Sequence, residues 1–229
     1  MLMMHFRIER EEIMYKILGY YICEKIIAPN WIGIKSNEMI TVSGCFSGIL
    51  PDLEYCYFIN NRKKERSEYL KKWNINKEKA IMLQKEMQDM FQKRLAMDGR
   101  FSELADAKKI YENYFNERKC VIVSVSTTEE YYKIAMEELG EQSNVVNDFY
   151  SGSSDENELL GYDILGWDRD SGLYHTFLCN HLHKDLESLK FNKYCLIENN
   201  FEMVQNFAKN IQGKGEPVKW IPCRIGKCE

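Results

Sequence analysis

Cys120-Val-Ile-Val-Ser-Val125, followed by Ser126-Thr-Thr-Glu-Glu130, is the stretch that decides the fold. Five of its first six residues are apolar, three of them β-branched valines and one isoleucine, with no helical spacing. Apolar continuity of this kind belongs to a strand buried on both faces. The hydroxyl and carboxylate residues that come next open a helix expected to run to about Leu139.

Upstream, Tyr15-Lys-Ile-Leu-Gly-Tyr-Tyr-Ile-Cys23 reads as a first strand, punctuated by Pro29. Met39–Val42 reads as a second, and the loop Ser43-Gly-Cys-Phe-Ser-Gly48 follows it. That loop is small and glycine-rich but lacks the spacing of a phosphate-binding loop. Residues 60–116 read as helical: one helix over Arg66–Trp73, a second N-capped by Asn76, and a third opening at Ser102. The second carries Ile81, Leu83, Met87, Met90, Phe91 and Leu95 at three- to four-residue spacing and is expected to stop at Asp98-Gly99.

Downstream, Gly140–Asn157 reads as an exposed loop, Leu160–Leu165 as a strand and Leu173–Lys190 as a helix. A strand at Tyr194–Ile197, a helix at Phe201–Asn210, a Gly213-Lys-Gly215 turn and a last strand at Pro217–Arg224 complete the chain. Pro217 and Pro222 bracket Trp220, which places that strand at a sheet edge or ends it early, with Trp220 in the core. Leu18-Gly-Tyr-Tyr-Ile recurs faintly as Leu160-Gly-Tyr-Asp-Ile, an echo weak enough to be two unrelated strands. The expected fold is α+β, a mixed or antiparallel sheet flanked by helices. It forms a single unit over 1–229, with halves at 14–126 and 127–229 left open and 1–12 read as a disordered extension.

At 229 residues and 45% apolar composition the chain can bury a full core. No run of about 18 apolar residues spans a bilayer, and the charged N-terminus lacks the apolar core of a signal peptide, so a cytoplasmic location is expected. The eight cysteines include no Cys-x-x-Cys pair, and buried reduced thiols are the expectation. Cys223 and Cys228, five apart, are the one pair spaced to oxidise or share a metal.

Charge is uneven. Residues 1–118 carry a net +3 and the remainder −7. Between Thr128 and Asp170 twelve carboxylates face only Lys133 and Arg169, a net of about −10. A patch of that sign steers a basic protein partner and argues against nucleic acid. Its candidate partner-binding residues are Glu137, Glu138, Glu141, Asp148, Asp155, Glu156 and Glu158. The basic counterpart, Arg62-Lys-Lys-Glu-Arg66, is interrupted by glutamate and suits a solvated helix face.

Chemistry has one other candidate locus. His175, Cys179, His181 and His183 are the densest metal-competent set. On a straight helix His175 and His183 stand about 12 Å apart, too far to share an ion. His175 with Cys179 remains, one turn apart. Asp163, Asp168 and Asp170 precede them, supplying a carboxylate to orient His175 or oxygen ligands for a hard cation. No nucleophile is marked beside that pair. An enzyme or metal-binding protein centred on His175, Cys179 and Asp168 is therefore the alternative function. No motif calls for an organic cofactor.

Leu160-Gly-Tyr-Asp-Ile-Leu-Gly-Trp-Asp168, Tyr174-His-Thr-Phe-Leu-Cys-Asn180, Asn192-Lys-Tyr-Cys-Leu-Ile197 and Gly215-Glu-Pro-Val-Lys-Trp-Ile-Pro222 follow one another in a recurring order. That order resembles a group of uncharacterised small cytoplasmic proteins of low-GC Gram-positive bacteria, some of them similar to immunity proteins of bacterial antagonism systems. The resemblance spans 160–225, departs at Cys195 where such proteins place glycine, and carries no catalytic residues. It implies a non-enzymatic immunity protein that masks a basic toxin surface with the acidic segment.

Overall fold

The computed structural model describes residues 14–46, 49, 75–93, 96–97, 99–116, 119–138, 157–168, 173–186 and 188–229. In chain order these give β1 (Tyr15–Glu24), α1 (Lys77–Gln92), β2 (Ala96–Met97), β3 (Arg100–Phe101) and α2 (Leu104–Ile110), which a π-turn at Tyr111–Phe115 continues. Then come β4 (Cys120–Thr128), α3 (Glu129–Glu138), β5 (Glu158–Asp168), β6 (Leu173–Thr176), α4 (Phe201–Asn210) and β7 (Ile221–Cys228). The strands join in one curled sheet of order β2-β3-β1-β4-β7-β5-β6, and every pairing is antiparallel.

The central place of β4 accounts for its composition. Val121, Val123 and Val125 point into one core cluster with Tyr131, Tyr132 and Met136 of α3. Ile122 points the other way, among Leu83, Met87 and Met90 of α1 and Ile110 of α2. On that second face the sheet's other half is covered by Val204, Phe207 and Ala208 of α4, with Ile164 and Trp220 beneath them. Helices α1 and α4 begin alike: the side chains of Asn76 and Asn200 accept the backbone N–H of Lys79 and Met203, supplying partners for first-turn donors.

Both halves of the chain feed this one sheet, and their pairing is two-fold symmetric in register. Gly19 of β1 faces Val125, Gly161 of β5 faces Ile225, and Val125 and Ile225 face each other across β4 and β7. Each glycine follows a β-bulge, at Ile17/Gly19 and at Leu159/Gly161, and the extra residue is the buried Leu18 or Leu160. Glycine is required at both. A Cβ on Gly19 would stand 2.5 Å from Arg100 Cγ, and Gly161, at φ +150°, would meet Leu196 Cβ at 2.7 Å. The Leu-Gly-Tyr echo thus marks one device used twice.

The structure departs from the sequence expectation in several places. Leu173–Lys190 is not a helix: Leu173–Thr176 forms β6, turns follow, and Leu182–Asp185 is one 3-10 turn entered through His181 at φ 57°. The exposed backbone edge of β5 outcompetes the helix, pairing Gly166 with His175 and Asp168 with Leu173. The last strand is interior, between β4 and β5, and not at an edge. Pro222 is tolerated because it precedes the β4 ladder, which begins at Arg224, while its carbonyl accepts Thr127 Oγ1 at 2.6 Å. Gly99 (φ 71°) turns the β2–β3 hairpin instead of ending α1, whose C-cap is Lys93. Met39–Val42 and Tyr194–Ile197 contribute isolated bridges only, at Met39 and Ile197. Trp220 is 1% exposed, in the core. The expectations for 1–12, Arg66–Trp73 and most of Gly140–Asn157 fall outside the described residues.

Candidate functional site

The loop after β1 is assembled by its own hydroxyls. Ser43 is buried; its N–H donates to Thr41 Oγ1 at 3.0 Å, and its Oγ accepts the N–H of Cys45 at 3.2 Å. Phe46 N–H closes the turn onto Ser43 O at 3.3 Å. One further bond decides where the loop sits: Gly44 N–H donates to Tyr174 O of β6 at 3.1 Å. A loop of the first half is thereby fixed against a strand of the second, with Cys45 exposed beside His175.

The β5–β6 hairpin supplies the other partners. Opposite His175 stands Gly166, so Asp168, two residues on, is its diagonal neighbour on the same face. Asp168 Oδ2 lies 3.5 Å from His175 Nε2, ion-pair distance and the outer limit of a hydrogen bond. The other ring nitrogen, Nδ1, lies 3.3 Å from Cys45 Sγ. Past β6 the chain turns at once, Cys179 N–H donating to Thr176 O at 2.9 Å, and the turn returns Cys179 to the same spot. Cys179 Sγ is 3.3 Å from Ser43 Oγ, and the ligand atoms of Cys45, His175 and Cys179 all lie within 4.8 Å of one another.

Electrostatics divides the two thiols. Cys45 is brought from the ordinary thiol value of 9.0 to about 4, first by the hydrogen bond from Cys179 and then by that from His175. Cys179 moves in the opposite direction, raised by its bond to Cys45 and by burial, so it remains a thiol and donates. His175 is raised, chiefly by Cys45, with Glu216 and Asp168 adding to the effect. The shifts favour a thiolate at Cys45 and the protonated form of His175, whose second ring nitrogen is turned to a carboxylate.

Trp31 extends the site on one side. Its ring is stacked on Phe46 at 5.4 Å, meets His181 edge-on at 5.0 Å and is 48% exposed. His183, grouped with His175 in the sequence, is directed elsewhere, its Nε2–H donating to Ile32 O at 2.9 Å. Asp163 also stands apart, 3% exposed, its Oδ1 accepting Thr176 Oγ1 at 2.6 Å and Ile164 N–H at 2.7 Å.

The arrangement can do two kinds of chemistry. Two soft sulfurs and one imidazole nitrogen, the imidazole backed by a carboxylate, are a donor set suited to a zinc-class ion with one open position. The same atoms, without an ion, are a nucleophile, an acid–base group and an orienting carboxylate. His175, Cys179 and Asp168 were legible as candidates. Cys45 was missed: it is 130 residues from His175, and its one sequence signal is a thiol set among Ser43, Gly44, Ser47 and Gly48.

The acidic segment divides among several environments. Glu129 pairs with Lys16 and Lys133, and Glu158 lies 3.6 Å from Lys227. Asp163 is buried and Asp168 serves His175. Glu137 and Glu138, with Glu130, line a cleft of about 410 Å³ whose other lining residues include Lys209, Lys219 and Trp220. Glu141, Asp148, Asp155, Glu156 and Asp170 lie outside the described residues. No helix among the described residues is long and apolar enough to cross a membrane. No family model, curated protein or solved structure matches the chain.

Proposed function

We propose that the protein is a cysteine-dependent enzyme of acyl transfer or hydrolysis, with Cys45 as nucleophile, His175 as general acid and base, and Asp168 orienting the imidazole. The observation that carries it is the alignment of Cys45 Sγ–His175 Nδ1 at 3.3 Å with His175 Nε2–Asp168 Oδ2 at ion-pair distance, 3.5 Å, in a group whose Cys45 is exposed. The thiolate attacks the carbonyl carbon of an ester, thioester or amide. His175 gives its proton to the departing group, then takes one from the water that hydrolyses the acyl-cysteine. Cys179 steadies the resting thiolate through its S–H. An imidazole poised between thiolate and carboxylate is the arrangement that recurs on unrelated folds for this chemistry.

The test is acylation by p-nitrophenyl acetate, followed by intact mass and peptide mapping. An acetyl group on Cys45, absent in Cys45→Ser and reduced in His175→Ala, is the expected result. Wild-type protein that stays unacylated, or a Cys45→Ser variant that acylates equally, overturns it. Elemental analysis belongs with the experiment, because stoichiometric zinc would make the three donors a metal centre instead.

The second reading is an immunity-type binding protein that presents acidic side chains to a basic toxin. It is favoured by the placement of Glu130, Glu137 and Glu138 along one cleft on α3, and weakened by Lys209 and Lys219 in the same cleft. Titration with a basic nuclease domain at low and high salt tests it. Glu137→Lys with Glu138→Lys should slow association and flatten its salt dependence; unchanged kinetics would count against it.

A further inference from the structure

We propose that Cys45 and Cys179 are an oxidisable pair, which a hydroperoxide converts to a disulfide that silences the nucleophile. The inference rests on the thiolate reading of Cys45 and adds a regulatory modification to that site. Its first support is position. The two sulfurs come from segments 134 residues apart, yet with the His175 ring nitrogen they share a space no more than 4.8 Å across. A disulfide needs about 2.05 Å between sulfurs. The pair must therefore close by less than 3 Å, within the swing of two side chains on short turns.

The second support is asymmetry. Cys45 is exposed and receives the oxidant; Cys179 lies behind it, half-buried, held by Ser43 Oγ. A reactive outer sulfur with an inner one in reserve is what a reversible thiol switch requires. The remaining described cysteines do not compete: Cys23, Cys195, Cys223 and Cys228 are buried and their pKa values are raised by burial, while Cys120 is half-buried at the far end of β4.

The chemistry balances in two steps. Cys45 thiolate attacks the terminal oxygen of ROOH; an S–O bond forms, the O–O bond breaks, and RO⁻ leaves as ROH after taking a proton from the His175 imidazolium. Cys179 sulfur then attacks the Cys45 sulfenic acid; the S–S bond forms, the S–OH bond breaks, and hydroxide leaves as water with the Cys179 proton. In sum two thiols and one hydroperoxide give a disulfide, an alcohol and water.

The experiment treats the full chain with stoichiometric hydrogen peroxide, then measures iodoacetamide labelling of Cys45 and maps non-reduced peptides. The expected result is a Cys45–Cys179 cross-linked peptide, at least a tenfold loss of Cys45 labelling and full recovery on dithiothreitol. In Cys179→Ser, dimedone should trap the sulfenic acid on Cys45 and excess peroxide should carry it irreversibly further. Wild-type Cys45 that still labels after peroxide, or that over-oxidises as fast as in Cys179→Ser, overturns the proposal. Acetylation by p-nitrophenyl acetate, run on the same untreated samples, separates the two failures. A protein that acylates but forms no cross-link keeps its nucleophile and loses its switch.

Discussion

Replacing His175 with alanine should move the pH at which Cys45 becomes reactive upward and raise the rate that it reaches once ionised. In the native site the thiol is ionised above about pH 4. An undisturbed thiol near 9.0 is only about one part in a thousand thiolate at pH 6, and gains tenfold per unit until it ionises. A low-pKa thiolate is also a weaker nucleophile. With a Brønsted slope near 0.45, five units of pKa cost roughly two powers of ten in intrinsic rate. At pH 7 the two effects nearly cancel, so a single rate constant would reveal nothing. The profile is decisive instead. Iodoacetamide labelling of Cys45, followed by peptide mapping between pH 5.5 and 8.5, should be flat in the wild type. Cys179→Ala, which deletes the larger support, and His175→Ala, which deletes the next, should each shift the rise toward ordinary thiol behaviour. A wild-type rate that climbs about tenfold per unit from pH 6 to 8 would refute the thiolate–imidazolium assignment.

Asp163 makes a stability prediction with a definite sign. Burial lifts its carboxyl from 3.8 to about 7, so the folded state holds the proton more tightly than the unfolded chain. The contribution of Asp163 to stability should therefore be full below pH 4, be lost as pH rises through 7, and level off above, by an amount on the order of 4 kcal/mol. Asp163→Asn keeps an oxygen for Thr176 and Ile164 and should flatten that slope in urea titrations; an unchanged slope would remove Asp163 as its cause. Gly161→Ala forces a Cβ against Leu196 at φ +150° and should cost about 2 kcal/mol or more, readable as a lowered urea midpoint. A midpoint within error of wild type would mean that the bulge does not constrain that residue. Asp168→Asn should reduce ester turnover while changing the unfolding free energy by no more than about 0.5 kcal/mol; equal turnover would dismiss it as the orienting group.

Local signals in the chain were reliable where one face or one cap determines the outcome. Asn76 starts a helix as its type suggests, and the apolar run at Cys120 lies inside the sheet, where both its faces are buried. The errors arose where a partner far along the chain decides. Leu173–Thr176 carries enough apolar residues to pass for a helix, and only the open edge of β5 makes it a strand. Pro222 argues for an edge until the register shows β4 pairing starting two residues later. For the site, Asp168, His175 and Cys179 lie within twelve residues and could be noticed together. Cys45 could not, since its relation to them is created by tertiary hydrogen bonds; a thiol embedded in serines and glycines was the one available hint. The Leu-Gly-Tyr echo is too short to carry weight as letters, and matching bulges give it a physical meaning that letter identity lacks.

The bond from Gly44 N–H to Tyr174 O has a consequence for how the molecule can be divided. Neither half owns a complete reactive centre, because the sulfur arrives from one and the imidazole from the other. Separately expressed pieces should each be inert, and mixing them should restore ester turnover only when the sheet reassembles across β4 and β7. Cys45 thus serves as an internal reporter of complementation: its reactivity at acidic pH announces that the two pieces have met.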